Sequence, residues 1–135
     1  MLVISLSYAQ GALFRSRNIH ATGDIVALGL EVYSDADCIV VLDSIDWGRF
    51  YPAQSRNTIF YVKLIGNTPS TLGLSADNFA PIEAEQYLML TWDYDGHILS
   101  PGEILEVIAA LGVDSSISGI ESFSFEMIVT AYEVV

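Results

Sequence analysis

Short runs of alternating apolar and polar residues recur roughly every eight to fifteen positions along this chain, with turn-forming residues between them. Alternation with a period of two is the pattern of a β-strand that buries one face. Only residues 81–86 favour a helix, and a short one. Because this spacing is typical of a β-sandwich, we expect an all-β protein.

The same alternation predicts the positions of individual strands and turns. Residues 43–55 are expected to be a loop, and the sequence GNTP at 66–69 a turn, because Gly and Asn tolerate positive φ. Asp95-Gly96 is one of the strongest dipeptides for a tight hairpin. Less regular alternation in 104–113 indicates a strand covered on both faces. Strands are expected at residues 26–32, 38–42, 57–65, 71–74, 87–93, 104–113 and 122–134.

The first twenty residues are expected to form an extended N-terminal arm (1–20), ahead of a sandwich domain (21–135). The arm contains two arginines and no acidic residue, and its first part alternates strictly. It pairs either with its own domain or with another chain, and that choice decides the function. Its apolar positions on one face are Leu2, Ile4, Leu6 and Tyr8, and its basic positions are Arg15 and Arg17.

The apolar stretch 1–14 is shorter than the roughly 20 apolar residues of a membrane span. It also lacks the basic n-region of a signal peptide. A longer hydrophobic segment ahead of Met1 is compatible with this pattern.

The charge of the chain is strongly acidic and unevenly distributed. Seventeen acidic and five basic residues give a net charge of −12, which argues against nucleic acid or an anionic membrane as partner. Residues 1–63 hold six acids and five bases (−1), whereas residues 64–135 hold eleven acids and no base (−11). This pattern indicates either a solvated acidic surface or head-to-tail attraction between the basic arm and a neighbour's acidic body.

The sequence contains no recognisable catalytic motif. His20 and His97, the two histidines, lie near no nucleophile motif, and the glycines form no phosphate-binding loop. The single cysteine, Cys38, excludes an intrachain disulfide and a cysteine-rich zinc site. Because Cys38 begins an apolar run, we expect a buried, inert thiol. A structural protein is therefore favoured over an enzyme.

Two pairs of aspartates are candidate ligands for calcium, and no other cofactor is expected. Asp93 and Asp95 precede Gly96 as in part of a calcium loop, but no acidic residue follows six positions later, so a plain turn is the alternative. Asp35 and Asp37 form the second candidate pair. The aromatic residues, including Trp47 and Trp92, indicate either core packing or a carbohydrate platform.

Several turn and strand-edge sequences carry a resemblance to a known family, namely SIDWG at 44–48, Pro52, GNTP at 66–69 and SPGE at 100–103. They resemble archaeal surface β-sandwich domains related to the camelysin/TasA-like fibre proteins and the archaeal bundling pilins. In the filament-forming members an N-terminal strand completes a sheet of the next subunit, which implies that residues 2–8 act as the donor here, with residues 13–19 as a second donor segment. The metalloprotease activity associated with camelysin is not implied, because no His-Glu-x-x-His sequence is present.

Together these patterns predict an Ig-like or jelly-roll sandwich of about seven to nine strands. The expected function is that of a structural subunit of an extracellular filament or pilus, a homopolymer formed by donor-strand complementation. The alternatives are a membrane-tethered monomeric surface domain and a calcium- or carbohydrate-binding adhesion module. No small-molecule substrate is expected.

Overall fold

The computed structural model describes residues 19–135, which form two four-stranded sheets packed face to face. One sheet has the order β3-β1-β8-β5 and the other β2-β4-β7-β6. The predicted all-β sandwich is confirmed, with eight strands; the Ig-like or jelly-roll subdivision stays a prediction. The elements are β1 (Ile19–Leu28), β2 (Leu30–Tyr33), β3 (Ser44–Phe50), β4 (Ser55–Leu64), β5 (Ser70–Ala80), a 3-10 helix η1 (Ile82–Tyr87), β6 (Leu88–Trp92), β7 (Ile104–Val113) and β8 (Ser122–Glu133).

The core lies between the sheets and is filled by alternate strand positions. On β4 the buried side chains are Phe60, Val62 and Leu64. The other sheet contributes Phe123 and Phe125 on β8, followed by Met127 and Val129, at alternate positions of the strand. Burying each large apolar side chain contributes about 1.5–3 kcal/mol, so this face-to-face contact is the main source of stability.

The predicted strand at 26–32 is divided in two. Gly29 has a φ of +74°, a conformation that costs residues with a Cβ atom energy, and it ends β1 at Leu28. β2 then starts at Leu30 in the opposite sheet. β1 also begins earlier than predicted, at Ile19, which is fully buried.

The predicted loop at 43–55 contains a strand, β3. Ile45, Trp47 and Phe50 point into the core, but the spacing from Trp47 to Phe50 breaks the period of two. The break is a β-bulge, where Ala21 pairs with Gly48 and the next residue of β1 pairs with Asp46. The bulge concealed this strand from an analysis based on alternation.

The predicted buried strand at 38–42 is instead an exposed loop. Ile39, Val40 and Val41 have exposed fractions of 76%, 56% and 63%. Cys38 is only partly buried, at a φ of +55°, so the predicted burial of its thiol is wrong. Local apolarity does not produce burial here because no layer formed by residues 19–135 covers this segment.

The prediction of a tight hairpin at Asp95-Gly96 is also wrong, because β6 and β7 pair through a long connection, residues 93–103. β7 spans the predicted residues, but its outer face is partly open, with Ile104 42% exposed. β5 is longer than the predicted 71–74. The predicted helix at 81–86 and turn at 66–69 are present.

Within residues 19–135, no helix has the length and apolar character needed to cross a membrane.

Candidate functional site: an open cleft between β5 and β6

One lateral side of the sandwich is closed by the chain itself. The outer edge of β2 is covered by the segment that follows it, in which Leu42 donates its N–H to the carbonyl of Val32 at 2.8 Å. The N–H of Ser34 likewise donates to the carbonyl of Val40 at 3.0 Å. This edge therefore has no long row of peptide groups available to another strand.

The neighbouring edge strand, β3, is protected by side chains. Arg56 crosses from β4 and donates from Nη1 to the carbonyl of Arg49 at 2.9 Å, with its guanidinium 5.8 Å from the centre of the Phe50 ring. The N–H of Gly48 donates to Asp46 Oδ1 at 2.9 Å. Charged side chains and a bulge at an edge are common protections against unwanted strand pairing.

The opposite lateral side, between β5 and β6, holds a cleft of about 270 Å³ that is lined mainly by apolar side chains but exposes more polar than apolar surface. Its floor includes the stacked rings of Phe79 and Phe125, whose centres are 5.4 Å apart. The volume lies just below the roughly 300–1,000 Å³ of typical small-molecule pockets, so the cleft suits a few side chains better than a large ligand. It is lined by Leu74, Ser75, Ala76, Phe79, Glu85, Leu88, Leu90, Leu111 and Phe125.

On the β5 wall, peptide groups face the cleft together with apolar side chains. Ser70 and Leu72 direct their N–H groups away from β8, to the carbonyl of Leu99 and to the Tyr94 hydroxyl, at 3.0 and 3.1 Å. Residues two apart in a strand share both a side-chain face and a hydrogen-bonding edge. The peptide groups of the next two such residues, Leu74 and Ala76, therefore point into the cleft.

The β6 wall has the same arrangement. Tyr87 accepts a hydrogen bond from the N–H of Asp114 at 2.8 Å, and Asp93 donates to the carbonyl of Ile108 at 3.1 Å, so these odd-numbered positions face β7. The peptide groups of the even-numbered residues, including Leu88 and Leu90, therefore face the cleft. No strand within residues 19–135 pairs with the outer edge of either β5 or β6.

Each end of the cleft is bounded. At one end η1 joins β5 to β6 and buries Ala84. At the other end, the Tyr94 hydroxyl that accepts from Leu72 donates to the carbonyl of His97 at 2.5 Å. From Leu74 to Phe79 the window spans five residue steps, or about 16 Å.

A contact between His97 and Glu103 braces the Tyr94 end. His97 Nε2 lies 2.6 Å from Glu103 Oε2, and Glu103 Oε1 accepts the N–H of Ser100 at 2.8 Å. The Ser100 N–H, and then the His97 ring, hold the pKa of the Glu103 carboxyl below its ordinary value of 4.5. The connection 93–103 is therefore anchored independently of whatever occupies the cleft.

Acidic groups surround the η1 end. Among the described residues that line the cleft, Glu85 is the charged one, and Glu83 is exposed on the same helix. Asp77 pairs in register with Glu126, whose Oε1 accepts from Asn78 Nδ2 at 2.6 Å. This end therefore attracts a basic partner.

Three of the four aspartates predicted as calcium ligands accept hydrogen bonds from backbone N–H groups. Asp93 Oδ1 accepts from Ile108 at 2.8 Å, and Asp95 Oδ1 accepts from the backbone N–H of His97 at 3.0 Å. Asp35 accepts from the N–H groups of Ile39 and Val40, at 2.9–3.2 Å, and thereby fixes the exposed loop. Asp37 does not join it in a cluster: residues 19–135 contain no group of three or more His, Cys, Asp or Glu arranged to hold a metal. Calcium binding stays a prediction.

The aromatic residues and histidines form no second site in the part of the chain described. Trp47 is buried, and Trp92 packs against Tyr94 with ring centres 5.3 Å apart. The strongly exposed aromatic side chains are Tyr51 and Tyr132, at opposite ends of the sandwich. His20 lies in register with Arg49 on β3 and with Ser122 on β8, and the His97 ring contacts the Glu103 carboxylate.

The predicted interface residues Leu2, Ile4, Leu6, Tyr8, Arg15 and Arg17 lie outside the described residues. Sequence reasoning missed the cleft itself. Alternation identifies Leu88 and Leu90 as inward-facing, but it does not indicate that the edge beside them is open.

No protein-family model matches this chain, and no curated protein matches it at significant similarity. The resemblance to archaeal surface β-sandwich domains therefore stays a prediction.

Proposed function

We propose that this protein is a structural, non-catalytic subunit of an extracellular filament, in which residues 2–8 of one copy enter the β5–β6 cleft of the next. The observation that carries the proposal is the cleft, where two edge strands direct unpaired peptide groups and leucine side chains into one opening. Strand addition uses both features, because main-chain hydrogen bonds give affinity and alternate pockets give specificity. A head-to-tail contact that does not close into a ring produces a fibre.

The length of the cleft limits how many anchors insert. A window of about 16 Å matches five extended residues, so two or three of the four alternating apolar side chains enter. At about 1.5–3 kcal/mol each, they contribute about 3–9 kcal/mol. Association itself costs about 4–15 kcal/mol, so backbone pairing and the attraction of Arg15 and Arg17 to the acidic surface must supply the remainder.

A second candidate is a tethered monomer whose arm fills its own cleft. In the sheet order, β1 is separated from β5 by two strand spacings, or about 10 Å. The start of β1 and the end of β5 lie at the same end of the sheet, near η1. Eighteen preceding residues reach at most about 60 Å, so chain length permits insertion within one molecule as well as between molecules.

Deleting residues 2–8 distinguishes the two candidates. The filament predicts polymers from the full chain, monomers from the deletion, and capping of polymers by a peptide of residues 2–8. The control is the same peptide carrying Ile4→Ser and Leu6→Ser. A full chain that is monomeric, and that loses stability on deletion, supports the tethered monomer. Monomers of unchanged stability in both forms contradict both candidates.

A further inference from the structure

The two walls of the cleft differ, and we infer from this difference that the incoming strand runs antiparallel to β6 and parallel to β5, with its N-terminal end toward Tyr94. This inference rests on the proposed function and adds the polarity of insertion, which the acceptor subunit imposes.

The β6 wall offers the longer regular edge. β6 is regular from Leu88 to Trp92. On β5 the register shifts between Asp77 and Ala80, where Asn78 has a φ of +55°, so the regular free edge is limited to Leu74 and the two residues after it. The main ladder therefore forms with β6, and antiparallel pairing is the more stable arrangement per residue.

The Tyr94 end does not offer a path for the rest of the arm. The Tyr94 hydroxyl already holds the N–H of Leu72, which the incoming backbone would otherwise take. Ser70 and Leu99 exchange two backbone hydrogen bonds, at 2.8 and 3.0 Å, and fix the connection 93–103 across this end. The linker that joins residue 8 of the donor to β1 therefore leaves toward η1.

The charges favour the same polarity. The arginines of the arm, Arg15 and Arg17, follow its apolar segment, and Glu83 and Glu85 lie on η1, directly before β6. In an antiparallel arrangement the C-terminal end of the donor lies beside the first residue of β6, and its arginines approach these carboxylates. The opposite polarity would send them toward Tyr94.

Cysteine cross-linking in the full chain, with Cys38→Ser to remove the native thiol, tests the polarity. Tyr8→Cys with Leu88→Cys is expected to give a ladder of disulfide-linked oligomers, whereas Leu2→Cys with Leu88→Cys gives none. The two donor positions are about 20 Å apart, and a disulfide requires Cα atoms within about 7 Å. The reverse result overturns the polarity and leaves strand exchange intact. Polymers that form neither cross-link exclude the cleft as acceptor, and a full chain without polymers refutes the proposed function.

A charge exchange provides a second test that leaves the core untouched. Glu83→Lys with Glu85→Lys is expected to slow assembly about tenfold at low salt, because charges near an interface act mainly on the association rate. Adding Arg15→Glu and Arg17→Glu is expected to restore the rate. Unchanged rates in the first variant, or failure of the second to restore them, contradict the inferred polarity.

Discussion

Replacing Ala76 with leucine is expected to stabilise the free subunit and to prevent strand insertion. The Ala76 side chain lines the cleft, so a larger apolar side chain enters open space and does not collide with the core. At about 0.8 kcal/mol for each added carbon, full burial is worth about 2.4 kcal/mol. Because the cleft is open to solvent, we expect about 1–2 kcal/mol, or a rise in Tm of about 4–8 °C for a domain of this size.

Urea unfolding and light scattering of the same full-length variant measure the two effects. Most substitutions destabilise a protein, so higher stability combined with lost assembly is a specific result. Thr91→Leu is the matched control, since position 91 lies on the outer face of β6 and faces away from the cleft. Normal assembly of the Ala76→Leu variant would refute the cleft as acceptor, and lower stability would refute the open space beside Ala76.

The remaining predictions concern the framework around the cleft. Gly48→Ala is expected to cost about 1–2 kcal/mol in urea unfolding, because the φ of Gly48 is +81°, whereas Gly66→Ala, at an unstrained and open position, is expected to change stability little. Equal effects of the two substitutions would contradict this reasoning. The folded-state pKa of Glu103 is lowered, so its stabilising contribution is present above its ordinary value of 4.5 and is lost as the pH falls through the lowered value. Glu103→Gln is therefore expected to make the free energy of unfolding fall less steeply below about pH 5 than in the unsubstituted protein. An equally steep fall in the variant and the unsubstituted protein would contradict this role of Glu103. Asp35→Ala is expected to speed hydrogen exchange at the amide of Ile39, because the substitution removes the carboxylate that accepts its hydrogen bond. Unchanged exchange would show that other contacts protect this amide.

The parts of the fold that were predictable are those where local pattern and burial agree. β8 was found almost to the residue, because its alternation matches a strand with one face in the core. The bounds of β7 were also found, but its expected cover on both faces was wrong, because its outer face is partly exposed. β3 was missed because its bulge breaks the period of two between Trp47 and Phe50. Residues 38–42 were misassigned for the opposite reason, since they are apolar but lie where no second layer from the described part of the chain covers them.

The candidate site was predictable only on the donor side, whose residues lie outside the described part of the chain. The acceptor cleft depends on which sheet edges the rest of the chain covers. β3 is covered by an arginine from β4, and β2 by the chain that follows it. Beyond the Ser70–Leu99 bridge, β5 and β6 have no strand from residues 19–135 on their outer edges. None of these relations is present in the order of residues along one strand.

The sequence alone determined the all-β class, the position of most strands, and the segregation of basic residues ahead of an acidic remainder. These properties follow from side-chain chemistry repeated at short range, which a period of two and a count of charges describe fully. The tertiary structure alone decided which edges are closed, where a cleft opens between described strands, and that Asp35, Asp93 and Asp95 accept hydrogen bonds from backbone N–H groups. Such features arise where residues far apart in the chain meet, and local pattern carries no information about which of them will do so.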